Sequence, residues 1–214
     1  MGQPGYLRVQ LSPRGSLDDF DHWRLESFKQ TPWATQQKYF TAIDDPDPTK
    51  PYRSEVVYDI NNVDAVDLDK LLQEWSSPRA TMTLLLYKRL DFAAHRGKEI
   101  PPDDGIVVVN SLTPENNTEV LEDYHAWYRT EHIQKLMQIP GWRTGSRYQL
   151  LDQRGECAEY AGPFMAVHQY DRENGLGGSE WTKSVVSEWT KKIDMRMAKR
   201  PHRRVFKIDR YAIF

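Results

Sequence analysis

The chain is written twice, and this repeat constrains the fold more than any other feature. Leu17-Asp18-Asp19-Phe20-Asp21-His22-Trp23 is matched by Leu121-Glu122-Asp123-Tyr124-His125-Ala126-Trp127, with the tryptophans 104 positions apart. Thr31-Pro32-Trp33-Ala34-Thr35 and Lys38-Tyr39 are matched by Ile139-Pro140-Gly141-Trp142-Arg143-Thr144 and Arg147-Tyr148, at an offset of 109. Leu71-Leu72-Gln73-Glu74-Trp75 is matched by Val185-Val186-Ser187-Glu188-Trp189, at an offset of 114. Six of the seven tryptophans pair in this way, and Trp181 stands alone. Added loop residues in the second copy would make the offset grow in this manner.

Each copy carries the same order of periodic segments. In the first, Tyr6–Leu11 alternates as a strand, Leu17–Gln30 reads as a helix capped by Ser16, and Thr35–Ile43 and Ser54–Ile60 read as strands. The proline-rich stretch Asp44–Pro48 reads as the turn between those two strands. A helix over Asp67–Ser76 and a strand over Thr81–Leu90 complete the unit. The second copy gives strand Ile106–Leu112, helix Asn117–Gln138, strands Thr144–Asp152 and Pro163–Tyr170, helix Glu180–Ala198 and strand Val205–Ile213. Ala93–Gly105, polar and rich in Pro and Gly, reads as the linker. The expected boundaries are 1–98 and 99–214. The order βαββαβ in each half predicts an α+β chain of two tandem ferredoxin-like repeats. Their open, apolar sheet faces would close on each other as a pseudo-dimeric α/β barrel.

Composition limits the function classes. The 29 Lys+Arg against 31 Asp+Glu give a net charge of −2, which argues against nucleic acid as a partner. Twenty-five aromatic residues in 214 are enough to build a core. The single cysteine, Cys157, excludes an internal disulfide, and no apolar run is long enough to span a bilayer. The first residues lack the apolar segment of a signal peptide, so the expected address is the cytosol. Asn116-Asn117-Thr118 has the form of a glycosylation sequon, read as coincidence. No metal-ligand spacing or dinucleotide fingerprint is present, and no cofactor is expected. The expected assembly is a monomer with an internal pseudo-dimer, or a homodimer.

The chemistry is sought where the copies diverge. His132 lies opposite Phe28 and Glu131 opposite Ser27. On a helix, Tyr124, Tyr128 and His132 share one face, with Trp127 and Glu131 on the adjacent stripe. An imidazole can move a proton near neutral pH, and a phenol can orient it or polarise a substrate oxygen. The same stripe also fits a plain core, the preferred reading for Trp127 and Tyr124, and His132 beside Glu131 also fits a solvated surface pair.

Trp127-Tyr128-Arg129-Thr130-Glu131-His132, followed by Ile139-Pro140-Gly141-Trp142 and Arg147-Tyr148, resembles the EthD-type members of the dimeric α/β-barrel superfamily. Gln134 departs from the proline that many members carry two residues after the histidine. The resemblance implies a small-molecule cavity between sheet and helices with His132 in it. It also implies cofactor-free work on polyketide or phenolic intermediates, as among fungal members of secondary metabolism.

The resulting expectation is a lyase-type enzyme (decarboxylation, dehydration or cyclisation) acting on an aromatic or polyketide-like small molecule. His132 would be the general acid/base, with Tyr128 and Glu131 beside it. Arg143 and Arg147 would offset negative charge, and Trp127 and Trp142 would form pocket walls. Tyr124, Tyr148 and His168 complete the candidate substrate-binding set, although Tyr148, paired with Tyr39 in the repeat, also fits a shared structural role. The alternatives are a cofactor-free oxygenase, a non-catalytic binding protein, and a haem enzyme with a histidine ligand. The basic run Lys199–Arg204 reads as a solvated turn before the last strand.

Overall fold

Alternation in the first strand sets the layers. In β1 (Gly5–Pro13), Leu7, Val9 and Leu11 point to one face, where they pack with Phe20 of α1 (Leu17–Ser27) and Leu68 and Leu71 of α2 (Leu68–Trp75). Tyr6, Arg8 and Gln10 point to the other face, and all three are buried. The computed structural model describes residues 2–44, 50, 52–99, 104–156 and 160–214. Most of the expected turn (45–48), part of the expected linker (100–103) and Cys157 lie outside the described residues.

The remaining strands of the first half are β2 (Ala34–Ala42), β3 (Ser54–Ile60) and β4 (Ala80–Ala94). The second half contributes β5 (Ile106–Pro114), β6 (Trp142–Gly155), β7 (Phe164–Tyr170) and β8 (Met197–Ile213). The eight strands form one closed antiparallel barrel in the order β1-β3-β2-β8-β5-β7-β6-β4. Each half therefore supplies four neighbouring strands in the same relative order, fourth, first, third, second. Pairs β2·β8 and β4·β6 join the halves. All helices lie outside the barrel. Tyr6, Phe40, Val57, Leu85, Tyr87, Val107, Tyr148, Met165 and Phe206 fill its interior.

Several expectations need correction. The interior is not an apolar closure of two sheets, because Arg8 and Glu55 form an ion pair there with neither side chain appreciably exposed. The long helix expected over 117–138 is three segments. They are α3 (Thr118–Trp127), a π-helical turn (Tyr128–His132) and α4 (Ile133–Leu136). The helix expected over 180–198 is broken into α5 (Ser179–Val185) and α6 (Glu188–Asp194). Ser187 makes the break, because its Oγ accepts the Thr190 N–H at 3.1 Å and caps the second segment. Ala93 and Ala94 belong to β4 and not to a linker. Lys199–Arg204 is strand, not turn, because its backbone pairs with β5. Tyr148 and Tyr39 do not share a role: Tyr39 packs on the helix side and Tyr148 in the barrel. A one-residue slip in the repeat alignment exchanges faces in this way.

Candidate functional site

The π-helical turn shapes the site. Its extra residue per turn places Trp127 over His132, five positions on, with ring centroids 4.2 Å apart and planes 25° apart. Trp23 and Phe28 make the corresponding contact in the first half, edge-on at 5.6 Å. The His132 ring thus sits where the first copy has a core ring. Its Nδ1 is shut off from solvent and meets no partner among the described residues. Burial lowers its pKa to about 4, opposed by the Ser184 backbone and Glu131.

Tyr128, the first residue of the π turn, faces the sheet. Its hydroxyl lies 2.5 Å from His168 Nε2 on β7. Trp142 Nε1 donates to His168 Nδ1 at 3.3 Å. An indole only donates, so Nδ1 must accept and the neutral ring carries its proton on Nε2. That proton goes to the Tyr128 oxygen, and the phenol proton is left for another acceptor. Burial drives the His168 pKa down to about 3, with His132 adding to the effect, and raises that of Tyr128. At neutral pH the relay is therefore uncharged.

Arg147 lies against this relay, its guanidinium 4.6 Å from the centre of the Tyr128 ring. It is held by its cross-strand partner Asp91 through three contacts of 2.6–3.2 Å. Its Nη1 also donates to His125 Nδ1 at 3.1 Å. The His125 pKa is lowered, first by burial and then by that cation.

A cavity of about 230 Å³ opens between these elements, lined by Asp91, Phe92, Ala93, Tyr128, Ile133 and Gly145 among others. Gly145 makes the approach possible, since a Cβ there would come within 2.7 Å of His168 Nδ1. Sequence reasoning missed Asp91, Gly145 and His125. Asp91 belongs to the other half of the chain, and a lone strand glycine was the only available signal for Gly145.

The expected site residues thus divide. Tyr124, Trp127, Tyr128, His132, Trp142, Arg147 and His168 come together around the relay. Tyr124 is buried core, and Trp127 Nε1 donates to Thr190 Oγ1 at 3.2 Å. Glu131 turns away from His132, accepting from Ser187 Oγ at 2.5 Å and pairing with Lys135 at 3.2 Å. Those contacts, the serine bond first, lower its pKa. Arg143 pairs with Asp171 at 2.6 Å, away from the cavity lining. Tyr148 stacks on Tyr6 at 5.0 Å inside the barrel. His132 is not among the cavity-lining residues. A haem does not fit this cavity: both His168 nitrogens are engaged, and His132 does not line it. Among the described residues no cluster of His, Cys, Asp and Glu could hold a metal ion, and no helix is long and apolar enough to cross a membrane. A larger cavity of about 450 Å³ lies elsewhere, at one end of the barrel.

No family model matches the chain, and no curated protein matches it. Solved structures do. An anthrone oxidase-like protein superposes with a TM-score of 0.60 at 12% identity, over 98% of this chain and 93% of that one. A candidate monooxygenase from Lactobacillus acidophilus gives 0.59 at 10% identity, over 99% and 96%. Another from Fusobacterium nucleatum gives 0.57 at 8%, over 99% and 95%. At these identities the likeness is one of fold: an eight-stranded antiparallel barrel with helices outside it.

Proposed function

We propose that the chain is an enzyme that binds a flat, oxygenated aromatic or polyketide-like small molecule in the cavity beside Tyr128 and stabilises its enolate. One observation carries this reading: the Trp142–His168–Tyr128 relay fixes the tyrosine oxygen as acceptor toward His168 and leaves the phenol proton for a ligand. A neutral donor aimed at a developing oxyanion from a low-dielectric wall stabilises it without the cost of charging the site. His168 and Trp142 position Tyr128, and Arg147 adds positive potential next to the ring. His132 supports the wall by packing on Trp127 and Tyr128, in place of the acid/base role expected from sequence.

An enolate held there can arise by loss of a carboxylate, lose water or close a ring, which is the lyase-type reading. It can also be captured by dioxygen. The names of the anthrone oxidase-like and monooxygenase neighbours favour this second reading. The EthD-type motif and the repeated strand order support placing the chain among tandem ferredoxin-like members of that group, with units 1–98 and 99–214, and secondary metabolism in the cytosol as its setting.

The test is turnover of a panel of aromatic β-keto and ortho-hydroxy acids and anthrone-type phenols, in nitrogen and in air, read by mass spectrometry. Carboxylate or water loss in nitrogen supports the lyase reading, and an oxygen-added product formed only in air supports the oxygenase. In either case Tyr128→Phe should slow turnover by about 10²-fold, as for loss of one oxyanion donor. Full activity in that variant, with the fold intact, overturns the site.

A further inference from the structure

We propose that the end of the barrel between β5 and β8 is a second binding site, for a ring-bearing organic anion with a carboxylate or phosphate group. The cavity there measures about 450 Å³, well within the size range of small-molecule sites. Ser111, Thr113, Tyr160, Lys199, Arg200 and His202 line it, and among the described residues no carboxylate does.

A register shift builds the site. Ser111 pairs with His202, but Thr113, two residues on, pairs with Lys199, three residues back. Paired residues across an antiparallel ladder share a face, so this bulge turns Lys199 to the side on which His202 lies. Regular pairing would send the ammonium to the opposite face. The nearby cation Arg204 is already committed, donating to Asp44 at 3.1 Å and to the Tyr52 carbonyl at 2.6 Å. Lys199 and Arg200 have no ion pair among the described residues.

Beneath the cations lies a bed of rings. Tyr52, buried, places its hydroxyl 3.3 Å from His202 Nδ1, and the Tyr160 ring lies 5.1 Å from that of His202. Two cations without an ion pair among the described residues, beside the hydroxyls of Ser111 and Thr113, suit an oxyanion, and the rings suit a flat body attached to it. Like charges crowded in a concave wall also raise the local concentration of anions, although the chain as a whole carries −2. The site is separate from the Tyr128 cavity and shares no lining residue with it.

Phenyl phosphate and benzoate, with benzyl alcohol as the neutral probe, are titrated into the full chain by calorimetry and by NMR. The expected result is one anion bound per chain and no binding of the alcohol. Lys199→Gln with Arg200→Gln should weaken binding by about ten-fold or more, and added salt should weaken it too. Tyr128→Phe should leave it unchanged. Both lysine and arginine are exposed, so the double variant should unfold at the wild-type temperature. Amide shifts confined to residues 111–113 and 199–202 on adding phenyl phosphate give a reading that needs no variant. Preference for phosphate identifies a dianion site, and preference for benzoate a carboxylate site. Failure of both anions to bind, an unchanged affinity in the double variant, or loss of binding in Tyr128→Phe overturns the proposal.

Discussion

Tyr128 and His168 meet at 2.5 Å across the gap between the π-helical turn and β7, and Trp142 decides which of them donates. Without the indole N–H, the imidazole could carry its proton on either nitrogen, and the tyrosine proton could be spent on His168 instead of on a ligand. Trp142→Phe should therefore leave His168 as a mixture of tautomers, where the wild type shows protonated Nε2 alone. Imidazole 15N shifts report this directly. A single Nε2–H tautomer in the variant would show that the indole does not set the relay.

Gly145 should tolerate no side chain. A Cβ would stand 2.7 Å from His168 Nδ1, 2.9 Å from its Cε1 and 3.1 Å from Ile133 Cδ1. Moving the ring breaks the Trp142 bond, and overpacking of this kind costs about 1–3 kcal/mol. Gly145→Ala should lower stability by that amount in chemical denaturation and reduce turnover along with it. An alanine variant as stable and active as wild type would mean that the ring can shift freely.

His132→Phe separates packing from chemistry. Phenylalanine occupies the corresponding position, Phe28, in the first half, against Trp23 at 5.6 Å. The replacement keeps a ring on Trp127 and removes a buried Nδ1 that has no partner. We expect stability within about 1 kcal/mol of wild type or better, and turnover retained. Loss of turnover with an unchanged unfolding temperature would return the acid/base role to His132.

Much of this architecture is readable in the residues. Alternating segments mark seven of the strands to within a few positions, because period-two patterns persist wherever one face meets helices; β8 starts eight residues before its expected position, where the basic run Lys199–Arg204 hides the pattern. The π turn is not readable, because one extra residue per turn leaves no compositional trace yet stacks Trp127 on His132, five positions on. The barrel interior is misread for a different reason. Arg8, Gln10 and Glu55 alternate with apolar neighbours as a solvated face would, and only closure of the sheet turns them inward. The relay itself needs Tyr128, Trp142 and His168 from three separate elements, and periodicity within one element cannot join them.

Acid should destabilise the fold through its depressed histidines, His132 and His168 above all, with His125 shifted in the same direction. His132, at about 4, and His168, at about 3, stay neutral in the folded chain. Unfolded imidazoles take up protons below about pH 6.5. The unfolded state thus binds more protons in the window between those values. Stability is complete above about 6.5 and falls with decreasing pH by up to about 1.4 kcal/mol per unit for each histidine. Denaturation curves between about pH 7.5 and 5, above most carboxylate titration, should show this slope. His132→Phe should remove its share. A profile flat across that window is the contrary outcome.

The Arg8–Glu55 pair should be fragile to single substitution and tolerant of joint replacement. Its side chains are 1% and 0% exposed, and Arg8 Nε donates to Glu55 Oε2 at 3.2 Å. Arg8 Nη1 also approaches Met165 Sδ at 3.3 Å, and Gln10 Nε2 donates weakly to the carboxylate at 3.4 Å. Glu55→Gln leaves a guanidinium buried without a counter-charge, which costs about 3–5 kcal/mol. Arg8→Met with Glu55→Leu removes both charges and fills the space with apolar atoms, so most of that loss should be recovered. Denaturation of the three chains in guanidinium chloride makes the comparison. A Glu55→Gln variant within about 1 kcal/mol of wild type would show that water reaches the barrel interior and solvates the arginine there.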